Sequence, residues 1–320
     1  MTAEHAALVD QLRQAGSEGR HVLVSGGRSK PWMHGLGDDR EQLSVAGYRG
    51  IIDYQPTELV VTVRAGTPLA ELDAALESEG QMLTMETPDF NGGSTIGGAV
   101  ALGWVGSRGV FAGGVRDAVI GMRMINGLGQ DLSFGGQVMK NVAGFDVSRL
   151  LVGSVGRLGA ITELSLRVIP RPEQELSLQW ELPDLAASRE LVREWTQRGF
   201  PVTGASYSAG RFRARFAGAD VLLKEVRATC GGEPADGAFW QDLRRLELPL
   251  FHHGWGDEKL FDGNGEICWT AHTRRRGNGA VVGLAAGPDW SGDDSPLARL
   301  RGRVQDAFDP AGLFQPAGAH

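Results

Sequence analysis

Short apolar runs alternate with amphipathic ones through the first 170 residues of the chain. The opening stretch, "MTAEHAALVDQLRQAG", sets Leu8, Val9 and Leu12 at helical spacing and predicts an amphipathic helix. It lacks the basic-then-apolar order of a secretory signal. "HVLVSG" (21–26) reads as a strand running into a loop, "GRSKPWMHGLG". "QLSVAG" (42–47), "RGIIDY" (49–54) and "ELVVTVRAG" (58–66) read as further strands, the last of them buried. At "TPLAELDAALESEG" (67–80) the period becomes helical. Thr67 is expected to cap this helix, Pro68 to take its first position, Glu71 to complete a capping box and Gly80 to stop it.

Farther along, "DAVIGMRMI" (117–125) and "QDLSFG" (130–135) flank "NGLG", the signature of a hairpin. "FDVSRLLVG" (145–153) predicts a short helix, and "GAITELSLRVIP" (159–170) a strand ended by Pro170. "PRPEQ" (170–174) marks a domain boundary, after which "LSLQWELP" reads as a strand and "DLAASRELVREWTQRG" as a helix. "RFRARFAG" sets Arg211, Arg213 and Arg215 against Phe212 and Phe216, the alternation of a strand with one face covered. The chain closes with a helical stretch and the tail "FDPAGLFQP".

Length and charge narrow the classes. At 320 residues two domains are expected. A net charge of -7 disfavours a general nucleic-acid or membrane-surface role. The cysteines, Cys230 and Cys268, form no CxxC pair and suit a reduced, cytoplasmic protein. No apolar run is long enough to span a membrane, so any membrane contact is expected through partner subunits.

Glycine changes the picture more. Of 47 glycines, 18 fall between Gly92 and Gly159. "PDFNGGSTIGGAVALGWVGSRG" (88–109) interleaves them with Ile96, Val100, Leu102 and Trp104, too apolar for a linker and too glycine-rich for a continuous helix. Two loops stand out. "SGGRSK" (25–30) directly follows a strand and turns successive N–H groups toward one point, with Arg28, Ser29 and Lys30 as further donors. "NGGSTIGGAV" (91–100) leads into a helix whose N-terminus faces the loop, an arrangement that favours a phosphate oxygen. Either loop alone is an ordinary glycine turn; together they suit a ligand with a pyrophosphate. The Rossmann pattern G-x-G-x-x-G follows no strand, and the P-loop's Gly-Lys is absent from the sequence.

"SGGRSK", "VTVRAGTPLAELDAALESEGQML", "PDFNGGSTIGGAVA" and "KNVAGFDVSRLLVGSVGRLGAITELSLRVIP" together resemble the FAD-binding domain of the vanillyl-alcohol oxidase/PCMH superfamily. Within it they are most similar to the family of the smaller, FAD-binding (E) subunit of bacterial glycolate oxidase. The resemblance covers about residues 20–170 and the tail. It implies an α+β fold: a PCMH-type FAD-binding domain over 1–170, in subdomains of roughly 1–66 and 67–170, a short cap or substrate-type domain over 171–295, and a helix and tail over 296–320 packing back on the first domain. It implies FAD as cofactor, and because neither "SGGRSK" nor "NGGSTIGGAV" holds the His or Cys through which the superfamily attaches it covalently, the FAD is expected to be non-covalent. Gly26, Gly27, Arg28, Ser29 and Lys30 would wrap the pyrophosphate from one side. Gly92, Gly93, Thr95, Ile96, Gly97 and Gly98 would do so from the other, with Ser107 and Arg108 nearby. Gly156 and Ile161 would offer backbone contacts. Gln315, in the place of the family's closing Asn, would bring an amide to the flavin. A β-branched side chain at Gly93 or Gly97 is accordingly expected to abolish flavin binding while the fold partly survives.

No catalytic residue is assigned from the sequence, and no metal site. His252 and His253 are adjacent, so on a strand they would point to opposite faces. His272 with Arg274 to Arg276 reads either as a solvated turn or as a carboxylate or partner contact. The Arg211, Arg213, Arg215 row reads either as a solvated face or as a docking surface. The tryptophans of this half, Trp180, Trp195, Trp240, Trp255, Trp269 and Trp290, are expected mostly in the core. The resemblance implies oxidation of glycolate to glyoxylate within a complex containing a larger FAD-binding subunit and an iron–sulfur subunit. A self-sufficient FAD-dependent D-2-hydroxy acid dehydrogenase and a non-catalytic flavoprotein scaffold remain as alternatives.

Overall fold

The computed structural model describes residues 2–30, 40–136, 147–247, 259–262, 267–270 and 296–315. His252, His253, Trp255, His272, Arg274 to Arg276 and Trp290 lie outside them. The first helix, α1 (Ala3–Ser17), is capped by the Thr2 hydroxyl and buries Leu8, Val9 and Leu12. That face lies on a parallel pair, β1 (Val22–Ser25) and β2 (Glu41–Ser44).

A second, antiparallel sheet has the order β3–β4–β8–β6–β7. Its strands are β3 (Ile51–Gln55), β4 (Val60–Arg64), β6 (Val119–Ile125), β7 (Asp131–Gly135) and β8 (Ala160–Pro170). The short β5 (Gln81–Leu83) pairs with the end of β8. The expected "NGLG" hairpin is β6–β7, with Ile125 opposite Asp131. Over the sheet pack α2 (Leu69–Ser78) and α3 (Ile96–Leu102), through Leu69, Leu72, Leu76, Ile96 and Val100. Three short helices follow: α4 (Ser107–Ala112), α5 (Val115–Ala118) and α6 (Val147–Leu150).

Two local expectations change. The sheets divide after β2, not near residue 66, because β3 and β4 join β8 in the second sheet. Val60, Val61 and Val63 are all buried, so β4 needs covered faces and a partner on each edge; β3 and β8 supply the edges. Thr67 does not cap α2, whose N-cap is Pro68. The Thr67 hydroxyl instead donates to the Arg64 carbonyl (2.7 Å) and accepts from the Gly50 amide (2.8 Å), closing the turn that leaves β4.

A third sheet begins at Gln174 and runs β12–β9–β11–β10–β13–β14. It comprises β9 (Gln174–Glu181), β10 (Val202–Ser208), β11 (Arg211–Gly218), β12 (Glu233–Pro234), β13 (Lys259–Asp262) and β14 (Ile267–Thr270). Packed with it are α7 (Leu185–Gln197), α8 (Asp220–Cys230) and α9 (Ala238–Arg245). Trp195 is buried in this sheet's core with Trp180 packed against it, and Trp240 is buried with its indole N–H donating to Ser177 on β9, as expected for these three tryptophans. Arg215 departs from the solvated-face reading. Its side chain is only 3% exposed, because the β11 face that carries it is covered by Glu86 and Trp240.

The last helix, α10 (Pro296–Phe308), returns to the second sheet's core through Val304 and Phe308. Leu313 and Phe314 then enter the core beneath α1. Among the described residues no helix is long and apolar enough to cross a membrane.

Candidate cofactor site

The first glycine loop leaves the carboxyl end of β1, which lies in a parallel pair. In open α/β sheets that end is where ligands bind. Arg28 adopts φ 54°, turning the loop through the left-handed region. The second glycine loop meets it directly. A Cβ on Gly27 would lie 1.9 Å from the Gly93 carbonyl oxygen, and one on Gly26 would lie 2.4 Å from Thr95 Oγ1. Only backbone fits between these two segments. A third glycine run, 153–159, approaches from below, with the Cβ position of Gly156 3.5 Å from Val24 on β1.

Lys30 sits where the two loops join. Its Nζ donates to Ser29 Oγ and Ser94 Oγ, both at 2.9 Å, and lies 4.3 Å from the centre of the Phe90 ring. Burial pushes the ammonium down to about 8, with Asp89 opposing the shift. Among the described residues this half-buried cation is bonded to hydroxyls and not to the carboxylate that usually accompanies such a charge. Nearby segments carry two buried hydroxyls, Ser25 Oγ and Ser154 Oγ, with no partner among the described residues. An ammonium, backbone N–H groups and orphaned hydroxyls form a donor set that fits a pyrophosphate.

The remaining expected residues divide. Thr95 caps α3, its hydroxyl accepting from the Gly98 amide at 3.3 Å. Ile96 is fully buried in the core, and Gly92 takes φ 77°. Gly98 is open apart from Thr95 Oγ1, whereas a Cβ on Gly97 would lie 2.6 Å from Ala65 Cβ and 2.8 Å from the Ala65 carbonyl oxygen. Gly97 therefore answers to close packing on the end of β4, and a valine there strikes the fold itself. Ile161 is buried on β8 opposite Met124. Gln315 donates to the Arg157 carbonyl at 3.1 Å, which brings the tail to the third glycine run.

Ser107 starts α4 and is buried. Arg108 does not join Lys30; its guanidinium pairs with Glu175 and Glu86 at the junction with the third sheet. A buried guanidinium takes the nearest carboxylates. Burial and the Arg215 cation lower its pKa, with Glu86 and Glu175 acting against them. Glu86 itself accepts both prongs of Arg215 at 2.9 Å and the Arg108 amide at 2.9 Å. Burial would raise its carboxyl, but Arg215 and then Arg108 hold it below its ordinary value. Sequence reasoning missed Glu86, Ser94 and Arg244. The one available signal is Glu86 itself, a charge directly after the apolar stretch "MLTM".

Parallel pair, antiparallel sheet and facing glycine loops define an FAD binding domain, and residues 2–135 match that family. The chain belongs to the family of glycolate oxidase subunit GlcE. It is 39% identical to the Escherichia coli (strain K12) glycolate oxidase subunit GlcE, over 97% of this chain and 95% of that one. Glycolate oxidase subunit GlcD of Bacillus subtilis (strain 168) is 33% identical over 45% of this chain and 30% of its own. Among solved structures, an alkyldihydroxyacetonephosphate synthase superposes with a TM-score of 0.60 at 17% identity, covering 74% of this chain and 52% of the synthase. That likeness is one of fold.

Proposed function

We propose that this chain is the FAD-holding subunit of a glycolate (2-hydroxy acid) oxidase or dehydrogenase complex, taking part in oxidation of glycolate to glyoxylate. The observation that carries the reading is the near end-to-end similarity to GlcE, supported by facing glycine loops with a half-buried lysine at their junction. Residues 1–170 act as the FAD-binding unit and 171–295 as a cap. Gly26–Lys30, with their backbone N–H groups and the Lys30 ammonium, wrap the pyrophosphate from one side, and the Gly92–Gly98 loop, whose own amides are largely engaged within the chain, walls it from the other. Gly156, Ile161 and Gln315 border the rest of the cofactor. When bound, FAD supplies the capacity to accept two electrons; the chain supplies binding and electrostatics. Expected partners are a larger flavin subunit, similar to GlcD, and an iron–sulfur subunit, with the assembly cytoplasmic or held at the inner membrane through those partners.

Attachment is non-covalent. In this superfamily a His in the first loop or a Cys in the second usually forms the covalent link, and "SGGRSK" and "NGGSTIGGAV" contain neither. Tagged protein purified from its native host should carry the partner subunits and release yellow FAD to the supernatant on acid precipitation. Flavin fluorescence that stays with the denatured polypeptide would overturn the non-covalent assignment. Purification without flavin or partners would overturn the functional one.

A further inference from the structure

A charged cleft of about 600 Å3 separates α2, β5 and the segment leading to the second glycine loop from β9 and α9 of the third sheet's layer. Residues 86–92 are the stem of that loop, and their backbone is unusual. Glu86 (φ 43°), Phe90 (φ 51°), Asn91 (φ 56°) and Gly92 (φ 77°) all occupy the left-handed region, which residues bearing a Cβ disfavour. Such a stem persists only where its surroundings hold it.

The Arg108 amide holds Glu86 from within the first domain, and two further holding groups come from the cap. Arg215 on β11 grips Glu86 with both prongs at 2.9 Å, and it is itself fixed by the Thr203 carbonyl (3.0 Å) and the Trp240 ring (4.9 Å). Arg244, in the last turn of α9, donates to the Thr87 carbonyl at 3.1 Å and to Asp73 at 2.7 Å. Its own carbonyl accepts the Asp89 amide at 3.0 Å. From Asp89 the connection runs straight to the cofactor loop. The Asp89 side chain accepts from the Gly92 amide (3.3 Å), and its carbonyl accepts from the Ser94 amide (3.0 Å). Ser94 Oγ in turn accepts from Lys30 at 2.9 Å. An unbroken hydrogen-bonded path thus joins α9 to the lysine between the glycine loops.

We propose that Arg215 and Arg244 of the cap are positioning residues for the cofactor, holding residues 86–92 in the turn that presents Gly92, Gly93 and Ser94 to FAD. The inference rests on the reading that these loops bind the FAD pyrophosphate. It gives the cap a role in cofactor affinity that needs no substrate contact.

The test is titration of the deflavinated full chain with FAD, followed by flavin fluorescence well below the melting midpoint of each FAD-free variant. Arg244→Met and Glu86→Gln should each raise Kd at least tenfold. Arg244→Lys, which keeps a cation for Asp73, should recover most of the loss. A purely structural role would change the folded fraction while leaving the Kd of folded protein unaltered. Should Glu86→Gln not fold, Arg244→Met decides alone. Lys30→Met reports on the loop assignment separately. A Kd for Arg244→Met within twofold of the unsubstituted chain, with Lys30→Met clearly weakened, overturns the positioning role and leaves the loop assignment standing. An unchanged Kd in Lys30→Met overturns the assignment and this inference with it.

Discussion

Lys30 shows what one side chain contributes when it is placed between two loops. Its folded pKa, about 8, lies below the ordinary 10.5 because burial disfavours the charge. Between those values the unfolded chain binds a proton that the folded chain has released, so this residue's contribution to stability rises with pH through that window. An anion beside Nζ favours the protonated form and reverses the preference. FAD should therefore bind with a constant Kd below pH 8 and progressively more weakly above it, by up to about tenfold per pH unit. Lys30→Met should bind more weakly at pH 7 and lose this dependence. Fluorescence titrations from pH 6.5 to 9 read both, and a flat profile in the unsubstituted chain would remove Lys30 from the site.

At the scale of elements, the tail depends on one carboxylate. Asp309 is 2% exposed and accepts from the Leu313 amide (2.7 Å) and the Phe314 amide (2.9 Å), which turns the chain sharply after α10. The turn delivers Leu313 and Phe314 to the core under α1, and the Leu313 carbonyl accepts the Val22 amide at 2.7 Å, at the start of β1. The tail is thus a structural support for the strand that carries the first glycine loop. Asp309→Ala leaves two buried amides without an acceptor and should cost about 2–6 kcal/mol in urea unfolding, at about 1–3 kcal/mol for each group left unsatisfied. Asp309→Asn keeps one acceptor and should lose about half as much. A loss below about 0.5 kcal/mol for the alanine variant, the level of an ordinary surface change, would show that the turn holds without it.

For the whole molecule, the arginines that face the FAD-binding domain from the cap are engaged by its own carboxylates: Arg215 by Glu86 and Arg244 by Asp73. They clamp two layers together; under the function proposed above, substrate oxidation depends on the partner subunits. The isolated chain should bind FAD yet reduce it slowly with glycolate or D-lactate. Loss of general-base assistance alone is worth about 10²–10⁴ in rate. Anaerobic mixing with excess substrate, followed by flavin bleaching, measures this against the assembled complex. Rapid bleaching by the chain alone, with turnover to an artificial dye, would make it a complete dehydrogenase.

The helices α1, α2 and α7, the β6–β7 hairpin and both glycine loops were legible in the chain itself. Hydrophobic period reports whether a segment has one covered face, and paired glycines report backbone that must come close to something. Those signals are local and survive without knowledge of neighbours. What covers a face is not local. The Arg211, Arg213, Arg215 alternation says that β11 has two unlike faces, but Arg215 meets a carboxylate 129 residues earlier. Arg244 likewise reaches Asp73 across 171 residues, and Lys30 reaches Ser94 across 64. Thr67 had the spacing of a helix cap and was taken by the Gly50 turn, since a buried hydroxyl goes to the nearest unsatisfied backbone group. The sequence by itself determined most of the elements and the segments where backbone must come close to its surroundings. Only the tertiary structure decided which charges meet, because pairing energies depend on distances that chain separation does not set.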